Sequence, residues 1–152
     1  MKVLFVCTGN TCRSSMAEGL FKDMLKSLGK DNEISVSSAG IYAMNNQSAS
    51  ENAIIAMKNK LVDISNHRSK QITMEMIEES DIILTMTNGH KQAILQASPG
   101  INSKVFTLKE FVGLDGDIAD PFGGSIEIYE ESLKDIKIAL QRLTQKLIEE
   151  ER

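Results

Sequence analysis

The chain contains no tryptophan, two prolines, two histidines and two cysteines among 152 residues, and each scarcity removes a class of function. Cys7 and Cys12 do not have the spacing of a zinc ribbon, and two histidines add too few further ligands for a metal centre, so no metal and no cofactor is expected. An excess of positive charge is also missing. The net charge of −4 argues against a nucleic-acid partner, which would call for a basic surface. No apolar run approaches membrane-spanning length, and Val3–Val6 is too short for the core of a signal peptide. The expected location is therefore the cytoplasm, with no membrane partner. Repeats, low-complexity tracts and linker-like stretches are absent too, which leaves one domain over residues 1–152.

What is present is concentrated near the amino terminus. Val3–Val6 reads as a buried parallel strand. It breaks at Thr8-Gly9-Asn10, where glycine and asparagine permit a left-handed turn. From Ser14 the apolar spacing becomes helical, with Ala17, Leu20, Phe21, Met24 and Leu28 on one face. A tight loop leading into a helix start presents free N–H groups to an anion. Arg13 adds a planar fork of donors matched to two phosphate oxygens. The reactive form of cysteine is the thiolate, which the same donors stabilise. Cys7, at the strand end, is thus placed beneath a phosphate for in-line attack on phosphorus, and Thr8, Gly9, Asn10, Thr11, Cys12, Arg13 and Ser14 form the phosphate cradle. Cys12 has two readings: a partner that traps oxidised Cys7 as a reversible disulfide, or a small apolar filler.

Further along, Ile34–Ala39 reads as the second strand. Ser48 and Glu51 fit a capping box opening a second helix, with Ala53, Ile54, Met57 and Leu61 facing inward. Thr73 caps a short helix through Glu79. Asp81–Met86 is the third strand, and a helix from Asn88 to Ala97 stops at Pro99-Gly100. Lys104–Phe106 is the fourth strand, Leu108–Val112 one or two helical turns, and Gly113–Gly124 a loop. A last helix over Ser125–Glu149 carries Tyr129, Leu133, Ile136, Leu140, Leu143 and Leu147 in one stripe. Strands alternating with helices predict an α/β fold: a four-stranded parallel doubly wound sheet with helices on both faces. Ligands of such sheets bind beyond the carboxyl ends of the strands, where the Cys7 loop lies.

Departure of a leaving group calls for a proton donor facing that loop. Asp120 is the candidate, because Pro121 restricts it to extended backbone and stiffens its loop. An ordinary turn aspartate before proline reads the same way, and Asp115 and Asp117 are the alternatives.

Cys7-Thr8-Gly9-Asn10-Thr11-Cys12-Arg13-Ser14, together with Asp120-Pro121, resembles the low-molecular-weight protein-tyrosine phosphatases over essentially the whole chain. The resemblance implies a cysteinyl-phosphate intermediate, phosphorylated protein substrates, and phosphate ion as product or inhibitor. Cys7 would be the nucleophile, Arg13 the clamp, and Asp120 the acid that then activates water. It also implies that Asn10 shapes the loop, that the Ser14 hydroxyl steadies the sulfur, and that His67 braces the loop through Asn10 and Ser14. Ser15 stands where the family usually has proline, so a slightly looser helix start is expected.

Two details are similar to the bacterial protein-arginine phosphatase branch. Thr11 replaces the aliphatic residue usual in tyrosine-specific members, and Phe122-Gly123-Gly124 replaces the paired aromatics that follow the proline in eukaryotic ones. Glycine at 123 removes one wall of a slot for a phenyl ring. Tyr42, with Ile41 next, is the candidate for the aromatic wall of the family's variable loop, a core or scattered surface group being the other reading of both. Thr11, Phe122, Tyr42 and Ile41 are the expected selectivity residues. Phosphoarginine is the expected substrate and phosphotyrosine the alternative. An arsenate reductase would need further cysteines after Cys12, and none follows. A phosphate-binding module without turnover would not need Cys7, Arg13 and Asp120 together.

Overall fold

The apolar run at the amino terminus forms β1 (Lys2–Cys7), five of whose six residues are buried. Val3, Phe5 and Cys7 pack into one core layer and Leu4 and Val6 into the other. A strand covered on both faces requires such an unbroken apolar run. In the computed structural model, which describes residues 1–150, β1 lies inside a parallel sheet. It is flanked by β2 (Ser35–Gly40) and β3 (Ile82–Thr85), with β4 (Val105–Thr107) beyond β3, in the order β2-β1-β3-β4. Glu151 and Arg152, the end of the expected domain, lie outside the described residues.

Among the described residues six helices connect and cover these strands: α1 (Arg13–Ser27), α2 (Glu51–Lys58), α3 (Met74–Glu79), α4 (Asn88–Ala97), α5 (Leu108–Phe111) and α6 (Ile126–Glu150). The first face holds α1, α2 and α6, with Phe21 set edge-on to Phe5 at 5.8 Å between ring centroids. The stripe Tyr129, Leu133, Ile136, Leu140, Leu143 and Leu147 of α6 is buried there in full. Ile77 of α3 and Ile94 of α4 close the second face. Among the described residues no helix is long and apolar enough to cross a membrane. Because the chain runs from β1 outward to β2 and then returns to β3 on the other side, the sheet's switch point lies between β1 and β3. The loop after Cys7 opens there.

Four sequence expectations are corrected. The Ser48–Glu51 capping box does not form. Ser50 is the N-cap of α2, and its N–H is committed to the Thr11 carbonyl at 2.9 Å. A capping box occurs instead at α5, where Thr107 and Glu110 bond reciprocally. Leu28 caps α1 and is exposed rather than part of its buried face. Ser15 does not loosen the start of α1: its hydroxyl donates to the Cys12 carbonyl at 2.8 Å, a bond proline could not make.

The fourth correction concerns Leu61, expected to face inward but 94% exposed. Helix α2 ends early in a Schellman turn, with Val62 N–H bonded to Met57 O and Leu61 N–H to Lys58 O. That turn puts Leu61 at φ 63, the position glycine normally takes. Gly29 (φ 68) and Gly113 (φ 79) hold the equivalent places after α1 and α5. A left-handed non-glycine residue costs about 1–2 kcal/mol, and here no buried contact offsets it. Leu61→Gly is therefore expected to stabilise the protein by about 0.5–1 kcal/mol after the entropy of the added glycine, read as a higher midpoint of urea unfolding.

Candidate active site

The loop from Thr8 to Cys12 is held from outside by its carbonyls. Cys7 O accepts from Ile41 N–H, Thr8 O from Tyr42 N–H, Asn10 O from His67 Nε2 and Thr11 O from Ser50 N–H, all between 2.7 and 2.9 Å. Each peptide unit is planar and trans, so the following N–H groups, those of Thr8, Gly9, Thr11 and Cys12, point to the opposite side. That side is a cleft of about 220 Å³ lined by Cys7, the loop, Arg13, Asp120 and Phe122. Gly40 on β2 makes the close approach possible. A Cβ there would lie 2.4 Å from Thr8 O and 3.1 Å from Asn10 N. The left-handed residue in the turn is Asn10 (φ 59) rather than Gly9.

Asn10 ties the loop to the sheet. Its amide Nδ2 donates to Ser14 Oγ and Ser38 Oγ, both at 2.8 Å, and its Oδ1 accepts from Lys70 N–H at 2.9 Å. Since Ser14 Oγ accepts from Asn10, its own proton is free for the Cys7 sulfur 2.9 Å away. The Asn10 N–H also points at that sulfur, at 3.3 Å. Two donors thus converge on a sulfur buried at the cleft floor. His67 reaches Asn10 through its carbonyl. Its Nδ1 lies 4.0 Å from Glu18 Oε1, and the expected contact with Ser14 runs only by way of Asn10.

Arg13 opens α1 and is 4% exposed. Its Nη1 donates to Ile118 O at 3.0 Å, and its Nη2 lies 3.6 Å from Asp120 Oδ2 across the mouth of the cleft. Asp120 is itself held: Oδ1 accepts Phe122 N–H at 3.1 Å, and Pro121 beside it is buried. Ile118 N–H bonds Met86 O and Ser132 bonds Ala119 O, so this loop is anchored on both flanks. Asp117 accepts from Asn88 N–H at the start of α4, and Asp115 lies exposed in the loop.

Among the expected selectivity residues, Thr11 and Phe122 line the cleft. Ile41 does not: it packs on the second core layer, because its side chain follows the sheet. Tyr42 is tied to the loop by its backbone, but its ring is 83% exposed beside the cleft rather than in its lining. Cys12 is buried, with its sulfur 3.3 Å from Tyr129 Oη and 3.4 Å from Ser50 Oγ, and both cysteines are free thiols. Burial and the adjacent Cys12 push the Tyr129 hydroxyl above its ordinary pKa.

Three neighbours of the site gave no sequence signal of their own. Ser38 and Glu18 join the Asn10 network. His90 bonds Thr8 Oγ1 through Nε2 at 2.8 Å. The order of the strands would have pointed to His90, since α4 follows β3 at the switch point. A larger groove of about 700 Å³ runs between α1, α2 and α6, but no thiol, hydroxyl or imidazole lines it.

Comparison with known proteins bears on this arrangement. A family model described as low molecular weight phosphotyrosine protein phosphatase matches residues 2–152. The protein-arginine-phosphatase of Bacillus subtilis is 43% identical over 153 residues, covering all of both chains. A crystal structure of a low molecular weight protein tyrosine phosphatase from T. tengcongensis superposes with a TM-score of 0.92 at 42% identity, covering 96% of this chain and 99% of that one. The same TM-score and identity are found for a cysteine-to-serine mutant of the YwlE arginine phosphatase bearing a phosphorylated active-site serine, over 97% of this chain and 95% of that one.

Proposed function

The chain belongs to the low-molecular-weight phosphotyrosine protein phosphatase family, and from that premise we propose a protein-arginine phosphatase built on residues 1–152 as one cytoplasmic phosphatase domain. The observation that carries the mechanism is the convergence on Cys7: a sulfur facing two donors at the floor of a cleft whose mouth is closed by Arg13 and Asp120. The phosphoryl group sits in the loop, its equatorial oxygens held by loop N–H groups and the Arg13 guanidinium, which stabilise charge as it builds. Sulfur attacks phosphorus, the bond from phosphorus to the side-chain nitrogen breaks, and Asp120 gives its proton to that nitrogen. In the second step Asp120 takes a proton from water, water oxygen bonds phosphorus, and the sulfur–phosphorus bond breaks to release inorganic phosphate. That product is also the expected competitive inhibitor. Asn10, Ser14 and His67 act by holding the loop.

Preference for phosphoarginine is supported by the 43% identical Bacillus subtilis relative and by the cleft walls. Among the described residues Phe122 is the single aromatic ring of the lining, it is itself 76% exposed, and Gly123 after it has no Cβ to complete a slot. Thr11 brings a β-branched hydroxyl to the mouth, and Asp120 offers a carboxylate to a planar guanidinium. A phosphotyrosine preference is the second reading, favoured by the family description and the T. tengcongensis structure. Parallel kcat/KM measurements on phosphoarginine and phosphotyrosine peptides decide between them. Thr11→Ile is expected to move the ratio toward phosphotyrosine by about tenfold, the value of one or two changed contacts in the transition state. An unchanged ratio removes Thr11 from the account.

A further inference from the structure

The imidazole of His90 is buried against the active-site loop and has no part in the scheme above. Each ring nitrogen meets a threonine hydroxyl. Thr87 Oγ1, the N-cap of α4, accepts the backbone N–H of His90 at 3.2 Å and lies 3.0 Å from His90 Nδ1, within reach to donate its own proton there. With Thr87 donating to Nδ1, a neutral imidazole carries its hydrogen on Nε2. Nε2 lies 2.8 Å from Thr8 Oγ1. The same oxygen receives Arg13 Nη2 at 3.5 Å. A hydroxyl oxygen has two lone pairs, and both are occupied by these donors. The direction left to the Thr8 O–H is the cleft that Thr8 lines.

We propose that His90, with its proton on Nε2, is a positioning residue: it holds the Thr8 hydroxyl as a hydrogen-bond donor to the phosphoryl group over Cys7. The inference rests on the phosphatase reading of the cleft. Only a neutral ring can relay the bonds in this order, and the surroundings keep it neutral. Burial, then the Arg13 charge, lowers the His90 pKa to about 4, against the opposing pull of Asp117 and Asp120. Thr8 and Thr87 are the remaining polar side chains on the ring.

The test separates the two nitrogens. The amide nitrogen of glutamine reaches the place of Nε2, whereas asparagine reaches only the place of Nδ1 beside Thr87. With p-nitrophenyl phosphate, His90→Gln is expected to keep kcat within about threefold of wild type and His90→Asn to lose about tenfold, with KM little changed in both. On a Thr8→Val background the difference between the two should vanish, since the hydroxyl they act through is gone. Equal kcat for the two variants, or a loss in His90→Asn that persists in full on Thr8→Val, overturns the proposal. A measurement on the unaltered protein does not depend on the variants folding. Nitrogen-15 shifts should report the Nε2–H neutral tautomer from about pH 5.5 to 8, and a proton on Nδ1 or a titrating imidazolium in that range overturns it. An inactive wild type sinks the phosphatase reading together with the proposal, whereas an active wild type with equivalent Gln and Asn variants sinks the proposal alone.

Discussion

Replacing Cys7 with serine is expected to lower kcat by at least about 10⁴-fold while leaving the fold and the affinity for inorganic phosphate nearly intact. Sulfur and oxygen differ little in size, and position 7 is buried between Ser14 Oγ and the Asn10 N–H, so the cradle should survive the change. What is lost is chemistry. A serine hydroxyl must surrender its proton before it can attack, and no base bonds it in this cleft, where the neighbouring Ser14 and Asn10 N–H are donors. If attack does occur, the phosphoserine formed is an ordinary ester whose alkoxide is a poor leaving group, so the second step stalls. The phosphorylated serine in the cysteine-to-serine YwlE structure is what such a stall would leave in that protein. Steady-state kinetics on phosphoarginine peptide, with thermal unfolding and phosphate binding as controls, checks the expectation. Turnover near the wild-type rate would contradict it.

Asp120→Asn is expected to have an effect that depends on the leaving group. Loss of a positioned acid typically costs about 10²–10⁴-fold. That full cost should appear with phosphoarginine, whose guanidine departs as a strong base and must be protonated as the bond to phosphorus breaks. With p-nitrophenyl phosphate the departing phenolate is stable without a proton. The first step should then be nearly normal and the second, which needs a base for water, slow. The signature is a burst of nitrophenol close to one equivalent per enzyme, followed by a slow phase. Asparagine keeps the oxygen that accepts Phe122 N–H, so the loop geometry is preserved. The lost attraction to Arg13 acts at 3.6 Å on a carboxylate 53% exposed, and solvent screens it to a small contribution. An equal loss in kcat/KM on both substrates, with no burst, would point to disrupted packing rather than missing acid, because kcat/KM reports the leaving-group step and not the hydrolysis shared by both.

How much of this could be read before the fold was known depended on the range of the signal. The strands were legible because Val3–Val6 and Ile82–Leu84 need apolar side chains on both faces of a covered sheet. α6 was legible because its stripe, from Tyr129 to Leu147, runs through about five turns. Cys7, Arg13 and Asp120 stood out because their chemistry and their neighbours (a turn, a helix start, a proline) are local. Leu61 was misread for the opposite reason: helical spacing continued past a Schellman turn that no glycine marked. Ser48 and Glu51 had the right residues for a cap, but the Thr11 carbonyl captured the N–H of Ser50 and set the helix start elsewhere. Ile41 and Tyr42 sit next to each other at the end of β2, and sequence could not say that one would turn into the core and the other outward. His90 is 82 residues from its partner Thr8, and only the order of the strands brings them together.

Covalent phosphorylation of Cys7 is the claim on which the rest depends, and mass spectrometry of the Asp120→Asn enzyme quenched in denaturant during the nitrophenol burst tests it directly. The account predicts one phosphoryl group per chain on the tryptic peptide Val3–Arg13, located by fragmentation at Cys7 and not at Cys12, that disappears as the slow phase proceeds. A phosphoryl group on any other residue, or a full burst with no phosphorylated peptide, would contradict it.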